Sequence, residues 1–141
     1  MTDVFTKSKR SEVMSRIKGR NTKPELAVRS LLHRMGYRFR LHRADLPGKP
    51  DIVLPRYQTL IFVHGCFWHR HKGCRFAYTP KTRMDFWLKK LESNVIRDIH
   101  VKSDLELLGW RVIIVWQCEL RDLSLLSRRI VTTLADKNII S

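Results

Sequence analysis

Residues 51–63, DIVLPRYQTLIFV, contain the pattern that decides the fold. Two short runs of mainly apolar residues, 51–54 and 59–63, flank the four-residue segment Pro-Arg-Tyr-Gln at 55–58. Apolar runs of this length bounded by a turn are typical of buried strands, and a connection of four residues is short enough for a hairpin. The sequence therefore predicts two adjacent buried strands.

Upstream of this pair, the sequence predicts a helix and a further strand. Thr22 and Glu25 have the spacing of a capping box, so the helix is expected to begin near Lys23 and to stop at Gly36. The alternation of apolar and polar residues over 37–42 predicts a half-buried strand. The apolar face of the helix is predicted to consist of Leu26, Leu31, Leu32 and Met35.

Downstream of the pair, a Cys/His-rich loop over 64–81 precedes a long predicted helix that ends at Gly109. The segment 111–116 predicts a strand buried on both faces, and 123–135 predicts a last helix. Because the connection from 63 to 112 is long enough for a parallel crossover, the fold class is α/β with a mixed sheet. The residues of the long helix predicted to face the core are Phe86, Trp87, Leu91, Val95, Ile99, Leu105 and Leu108.

The composition limits the possible functions. With 28 Lys and Arg against 13 Asp and Glu, the 141-residue chain has a formal charge of +15, which favours a nucleic acid as partner. The hydrophobic content of 43% predicts one folded domain over 1–141. No apolar run is long enough to span a membrane, and without a secretory signal the chain is expected in the cytoplasm. The basic segment 1–22 is predicted to form an arm and a short helix that contacts DNA or packs on the core.

Asp51 is a candidate ligand for Mg²⁺. Aspartate is disfavoured at the start of a strand, so its presence there needs a reason. Its carboxylate and a backbone carbonyl of the adjacent strand would be hard oxygen ligands, leaving positions for water and a phosphate. The alternative is that Asp51 only caps the turn after Pro50.

Cys66, His71, Cys74 and Cys118 form a candidate zinc site, although 43 residues separate the last two. Three thiolates and one imidazole make a closed tetrahedral set, which is typical of structural rather than catalytic zinc. Such a site would attach a loop that has little apolar material of its own to the end of the sheet. The alternative is two loop cysteines and one core cysteine.

Histidines and aromatic residues of the same loop are further candidates. If His71 binds zinc, His64 and His69 remain available to position or deprotonate a water. Phe67 and Trp68, with Met14 in the basic N-terminal segment, could separate base pairs, or could form a small core under the loop. For the acidic residues Asp98 and Glu25, a solvated helix face is the usual explanation, and Trp87, Trp110 and Trp116 are predicted to be core.

Several motifs together resemble those of the very-short-patch repair (Vsr) endonuclease family. They are Pro-Asp at 50–51, the run VHGCFWH at 63–69, FWL at 86–88, NVIRD at 94–98 and GWRV at 109–112. The resemblance covers residues 1 to about 122. It implies a restriction-endonuclease-like mixed sheet flanked by helices, and a Mg²⁺-dependent nick on the 5′ side of the thymine in T:G mismatches. Such mismatches arise when 5-methylcytosine deaminates.

The resemblance also implies roles for individual residues. Asp51 and the backbone carbonyl of Val63 would hold Mg²⁺, and His69 would be the general base. His64 would contact the scissile phosphate region, with Asp98 and Glu25 as supporting acids. The structural zinc ligands would be Cys66, His71, Cys74 and Cys118, and the intercalating wedge would be Phe67, Trp68 and Met14.

This chain departs from the family prototype at two places. Val63 replaces a threonine, which a role of the backbone carbonyl tolerates. Two residues, Lys72 and Gly73, separate His71 from Cys74 where the prototype has one, so Gly73 is expected to absorb the additional residue in a turn, and His69 remains an alternative zinc ligand.

The resemblance further implies a monomer acting on double-stranded DNA at the bacterial nucleoid, a companion cytosine methyltransferase and mismatch-repair helper proteins. The residues also allow other functions. One is a zinc-stabilised mismatch-binding module without nuclease activity, and another is an RNA-binding protein. A nuclease for matched or otherwise damaged DNA is the related enzymatic alternative.

Overall fold

Three helices and four strands make up residues 22–136, the part of the chain that the computed structural model describes. The helices are α1 (Lys23–Arg34), α2 (Met84–Leu107) and α3 (Leu123–Ala135). The strands are β1 (Arg40–Leu41), β2 (Ile52–Leu54), β3 (Thr59–His64) and β4 (Arg111–Trp116). The predictions for the basic arm and for Met14 lie outside the described residues.

The four strands form one mixed sheet in the order β1-β2-β3-β4. β2 and β3 are an antiparallel pair with Val53 opposite Leu60, joined through the 3₁₀ turn Pro55–Tyr57. β3 and β4 are parallel, with Thr59 opposite Arg111 and His64 opposite Trp116. The hairpin and the parallel crossover predicted from the sequence are therefore confirmed.

Helices cover both faces of the sheet, because alternate side chains of each strand point to opposite sides. On one face, α1 and α3 pack against Ile52, Leu54, Ile61, Ile113 and Val115. On the other face, Leu105 of α2 packs against Val53, Leu60 and Phe62. The mixed α/β architecture fits a restriction-endonuclease-like fold. Within the described residues, no helix combines the length and hydropathy needed to span a membrane.

The start of α1 confirms one prediction and corrects another. The Thr22 side chain accepts a hydrogen bond from the Glu25 N–H at 3.3 Å, so Thr22 is the N-cap. The Glu25 side chain, in contrast, is only 1% exposed and turns towards the sheet instead of lying on a solvated face. Leu26, expected in the core, is 46% exposed, and Val28 is buried in its place.

The predicted strand over 37–42 is reduced to β1, which has two residues. His42 has a positive φ of 51°, which ends the extended conformation, while Tyr37 and Phe39 pack partly buried against the core without pairing in the sheet. On α2, only Leu91 and Leu105 of the predicted core residues are fully buried. Three residues predicted to face the core are exposed, namely Phe86, Ile99 and Leu108.

The expected burial of β4 and of the tryptophans is also corrected. Residues of β4 alternate between buried and half-buried, because α2 covers its face of the sheet less completely than α1 and α3 cover theirs. Trp87, Trp110 and Trp116 are all half-buried. They therefore remain accessible at the surface of the core.

Candidate active site

A pocket of about 570 Å³ opens between β3, β4, α2 and the turn that precedes β2. Its walls include Asp51 from the start of β2, His64 from the end of β3, and Asp98 from α2. His69 enters from the loop after β3, so strand ends and a helix bring together residues that are far apart in sequence. Lys49, Arg97 and Lys102 line the same pocket and give it positive charge.

Asp51 lies directly against the end of β3. Its Oδ2 accepts a hydrogen bond from the Val63 N–H at 2.8 Å, which places the carboxylate beside the backbone of that residue. Burial and the negative charge of Glu25 raise the pKa of Asp51 to about 6, although the Val63 hydrogen bond opposes this shift. A carboxylate that is costly to ionise in its surroundings is stabilised when a cation approaches.

His69 and Asp98 form a hydrogen-bonded pair. The His69 Nδ1 lies 2.6 Å from the Asp98 Oδ2, and both side chains are half-buried. A carboxylate at Nδ1 fixes the proton on that nitrogen and leaves Nε2 with its lone pair. The pair therefore has the arrangement required of a general base and its orienting acid.

His64 is held in the neutral form beside this pair. Its ring is stacked on His69 at 3.7 Å between centroids with an interplanar angle of 7°. Burial, and then the proximity of His69, lower the pKa of His64 to about 4. The two rings are parallel, so their in-plane lone pairs do not converge on one point. The stacked pair suits phosphate contact and proton transfer better than shared ligation of a metal ion.

The Glu25 carboxylate is held near Asp51 by two residues that the sequence analysis did not identify, His42 and Arg29. The His42 Nε2 lies 2.9 Å from the Glu25 Oε2, and Arg29 also contacts this oxygen. The His42 N–H donates to the Asp51 carbonyl at 3.2 Å. One ligand atom each from Glu25, His42 and Asp51 lies within 4.8 Å of the others. Arg29 follows Glu25 by four residues on the helix, a spacing that predicts an ion pair, but no local pattern indicated the contact with His42.

The four predicted zinc ligands also come together. One ligand atom from each of Cys66, His71, Cys74 and Cys118 lies within 4.8 Å of the others, and the Cys118 Sγ is 3.4 Å from the His71 Nδ1. Burial and the neighbouring thiols raise the pKa of Cys118 to about 12. Three thiols and an imidazole at such separations fit a tetrahedral zinc ion, which would convert the thiols to thiolates.

His71, rather than His69, belongs to this cysteine group, because His69 is paired with Asp98. The imidazole of His71 is stacked on Trp116 at 4.2 Å with an angle of 11°. Gly73 has a φ of 76°, so the additional residue before Cys74 is accommodated in a turn.

Phe67 and Trp68 belong to a larger group, here named the aromatic cluster. Phe67 contacts Trp68, Tyr78 and Trp87, with centroid distances of 5.2, 5.1 and 5.6 Å, and Phe86 contacts Trp87 at 5.3 Å. Trp68 is 36% exposed. Trp87, which the sequence placed in the core, is therefore part of a partly exposed aromatic surface.

A family model described as DNA mismatch endonuclease Vsr matches residues 2–75. The chain belongs to the Vsr family. Among its relatives, the Type II nicking enzyme V.XorIIP of Xanthomonas oryzae pv. oryzae is 54% identical over 130 residues, which are 92% of this chain and 95% of that protein. The DNA mismatch endonuclease Vsr of Escherichia coli K12 is 49% identical over 121 residues, covering 86% and 77%.

A third relative, the Type II nicking enzyme V.NmeAIP of Neisseria meningitidis, is 47% identical over 130 residues and covers 92% of both chains. As a member of the Vsr family, the chain is a DNA mismatch endonuclease, a hydrolase of DNA repair. The Vsr family also implies a divalent metal ion for catalysis. The neighbouring carboxylates of Asp51, which lines the pocket, and of Glu25, which lies behind it, fit such an ion, because hard oxygen donors suit it.

Proposed function

We propose that the chain nicks DNA on the 5′ side of the thymine in T:G mismatches, and so starts very-short-patch repair of deaminated 5-methylcytosine. One observation carries this proposal: Asp51, the Val63 backbone and the His69–Asp98 pair converge in one positively charged pocket. A module that only binds mismatched DNA has no use for a half-buried carboxylate and an oriented imidazole in one pocket.

The metal in this proposal is Mg²⁺, held by Asp51 and the backbone carbonyl of Val63, with Glu25 as a supporting acid. When bound, such a cation would neutralise charge on the phosphate and on the departing 3′ oxygen. Glu25 is held in place by His42 and Arg29, so it faces Asp51 in a fixed orientation. The negative charge of the two carboxylates is thereby directed at the cation.

His69 removes the proton from the attacking water. Asp98 keeps the Nδ1 of His69 protonated and stabilises the imidazolium that forms when Nε2 accepts the proton. The water oxygen bonds to phosphorus as the bond to the 3′ oxygen breaks. The departing 3′ oxygen takes a proton from solvent water, which leaves a 3′ hydroxyl and a 5′ phosphate. Neutral His64 contacts the scissile phosphate region without adding charge.

The remaining cations of the pocket bind the phosphates on either side of the cleaved bond. Lys49, Arg97 and Lys102 are all exposed at its rim, where they are accessible to a DNA backbone. Arg97 is oriented by Asn94, whose Oδ1 accepts its hydrogen bond at 3.1 Å. Phosphate contacts of this kind position the substrate and carry no sequence information.

Phe67, Trp68 and Met14 form the wedge that separates base pairs at the mismatch. Trp87 supports the wedge, since its ring contacts both Phe67 and Trp68. The Trp68 carbonyl accepts a hydrogen bond from the Asn94 Nδ2 at 3.1 Å, which links the wedge to α2 and hence to Asp98. One helix therefore supports both the wedge, through Trp87 and Asn94, and the general base, through Asp98.

Zinc bound by Cys66, His71, Cys74 and Cys118 would fix the loop that carries Phe67, Trp68 and His69. The segment 1–22 grips the DNA, and the protein acts as a monomer on DNA of the cytoplasmic nucleoid. Its work is linked to a companion cytosine methyltransferase and to mismatch-repair helper proteins.

Strand-resolved cleavage tests the proposal. Labelled duplexes with a T:G mismatch in cytosine-methylation contexts are compared with fully paired duplexes, with Mg²⁺, for the wild-type chain and the isosteric Asp51→Asn variant. We expect a nick confined to the thymine strand of the mismatch, and none from the variant. Tight mismatch binding without any nick would favour the non-catalytic module, and wild-type cleavage by the variant would refute the role of Asp51.

A further inference from the structure

Tyr78 is the most exposed member of the aromatic cluster. Its side chain is 61% exposed, compared with 36% for Trp68 and 45% for Phe86, whereas Phe67 and Trp87 are half-buried. Its ring is tilted by 44° against Phe67, at 5.1 Å between the centroids. Tyr78 therefore extends the surface formed by Phe67 and Trp68 instead of filling space beneath it.

Several hydrogen bonds fix the backbone around Tyr78. The Arg70 Nη1 donates to the Tyr78 carbonyl at 3.3 Å and to the Thr79 Oγ1 at 3.1 Å. The preceding Ala77 N–H donates to the Cys74 carbonyl at 3.0 Å, which ties the segment to the cysteine group. Because Arg70 follows Phe67 and Trp68 in the same loop, this contact fixes the position of Tyr78 relative to theirs.

An aromatic ring held in this way is suited to stacking. Its backbone is already ordered, and a tyrosine side chain has few rotatable bonds, so little conformational entropy is lost when a base covers the ring. The Tyr78 hydroxyl makes no hydrogen bond within residues 22–136, so no internal polar contact explains the position of the side chain. Base–aromatic stacking tolerates any base, since every base has a π face.

We propose that Tyr78 is a further DNA-contacting residue, which stacks on a base beside the mismatch and enlarges the aromatic surface that Phe67 and Trp68 offer to the opened duplex. This inference rests on the proposed function. It adds a residue from outside the HGCFWH run, placed against the wedge by Arg70. The enlarged surface would stack on more than one base and so keep the neighbouring base pairs separated.

The test compares mismatch binding by Tyr78→Ala, Tyr78→Phe and Trp68→Ala with binding by the wild-type chain, in buffer without Mg²⁺ so that the duplex stays intact. Affinity is measured by fluorescence anisotropy. A 2-aminopurine base on one or the other side of the mismatch reports local stacking. Leu107→Ala is the matched control, because Leu107 is 83% exposed and lies at the end of α2, whereas the aromatic cluster lies at its start.

We expect Tyr78→Ala to weaken mismatch binding about 5- to 150-fold, the range that loss of one stacked base implies. Its 2-aminopurine signal should change on one side of the mismatch only. Tyr78→Phe should bind within about twofold of the wild-type chain, because it keeps the ring. The Tyr78 and Leu107 variants should unfold close to the wild-type temperature, since these two side chains are largely exposed.

Three results would overturn the inference. If Trp68→Ala loses affinity and Tyr78→Ala does not, Tyr78 is outside the interface while the proposed wedge stands. If Tyr78→Phe loses as much as Tyr78→Ala, the hydroxyl binds the DNA and stacking is the wrong explanation. If neither Trp68→Ala nor Tyr78→Ala weakens binding, the wedge itself is wrong.

Discussion

Gly48, in the turn that carries Asp51, lies close to Val101 of helix α2, and Gly48→Ala should be strongly destabilising. Gly48 has a φ of 73°, and a Cβ built on it would overlap the Val101 Cγ1 and lie 3.2 Å from the Val101 Cγ2. The left-handed conformation costs an alanine about 1–2 kcal/mol. Overpacking against Val101 adds about 1–3 kcal/mol, because the helix cannot move away without leaving the sheet.

Gly36→Ala is the matched control for this prediction. Gly36 has a φ of 85°, but a Cβ there meets nothing within 4 Å, so only the conformational cost applies. We therefore expect a loss in the free energy of unfolding of about 1–2 kcal/mol for Gly36→Ala and of about 2–5 kcal/mol for Gly48→Ala. Each kcal/mol should lower the melting temperature by about 4 °C.

Urea unfolding of the two variants and of Gly48→Ala combined with Val101→Ala measures the contact directly. The additional Val101→Ala substitution should recover at least about 1 kcal/mol of the free energy of unfolding that Gly48→Ala loses, as expected for two residues in contact. Nicking by folded Gly48→Ala should also fall, because the displaced turn moves Asp51. Equal destabilisation at Gly36 and Gly48, or no recovery in the double variant, would refute the close packing.

Three further predictions concern the site. Asp98→Asn should slow single-turnover nicking about 10²- to 10⁴-fold, because His69 loses its orienting carboxylate. The affinity for the mismatch, measured by gel shift, should stay unchanged. A comparable loss of affinity would assign Asp98 to binding instead. Elemental analysis should find one zinc ion per wild-type chain. His71→Ala should lose this ion, whereas His69→Ala should keep it, and the reverse pattern would exchange the roles of the two histidines. His42→Ala should raise the Mg²⁺ concentration needed for half-maximal nicking several-fold, because Glu25 loses its contact with the His42 ring. An unchanged Mg²⁺ concentration for half-maximal nicking would limit His42 to a structural role.

The hairpin, the crossover and the last helix could be predicted because each depends on a local pattern. The runs at 51–54 and 59–63 are apolar enough to specify buried strands, and the following connection is long enough for the crossover that parallel pairing requires. The side chains of α2 were harder to place. Its apolar residues extend around the helix, but the sheet covers only one side, so Ile99 is left exposed.

For the candidate site, the sequence identified residues but not their contacts. The grouping of Asp51, His64 and His69 followed from motifs at strand ends, where such residues meet. The inward turn of Glu25 could not be predicted, because it depends on His42, which reaches it only after the chain folds back across the sheet. Capping-box spacing at Thr22 favoured the opposite orientation for the same carboxylate.

The parallel pairing of β3 with β4 has a consequence for a chain that is still being synthesised. Asp51, His64 and His69 leave the ribosome early, but the pocket wall formed by Val112 and Ile114 and the thiol of Cys118 follow much later. Non-local strand pairing of this kind also forms slowly. A nascent or truncated chain that ends before β4 therefore carries Asp51, His64 and His69 without the pocket that brings them together, and that pocket can form only after β4 has been synthesised.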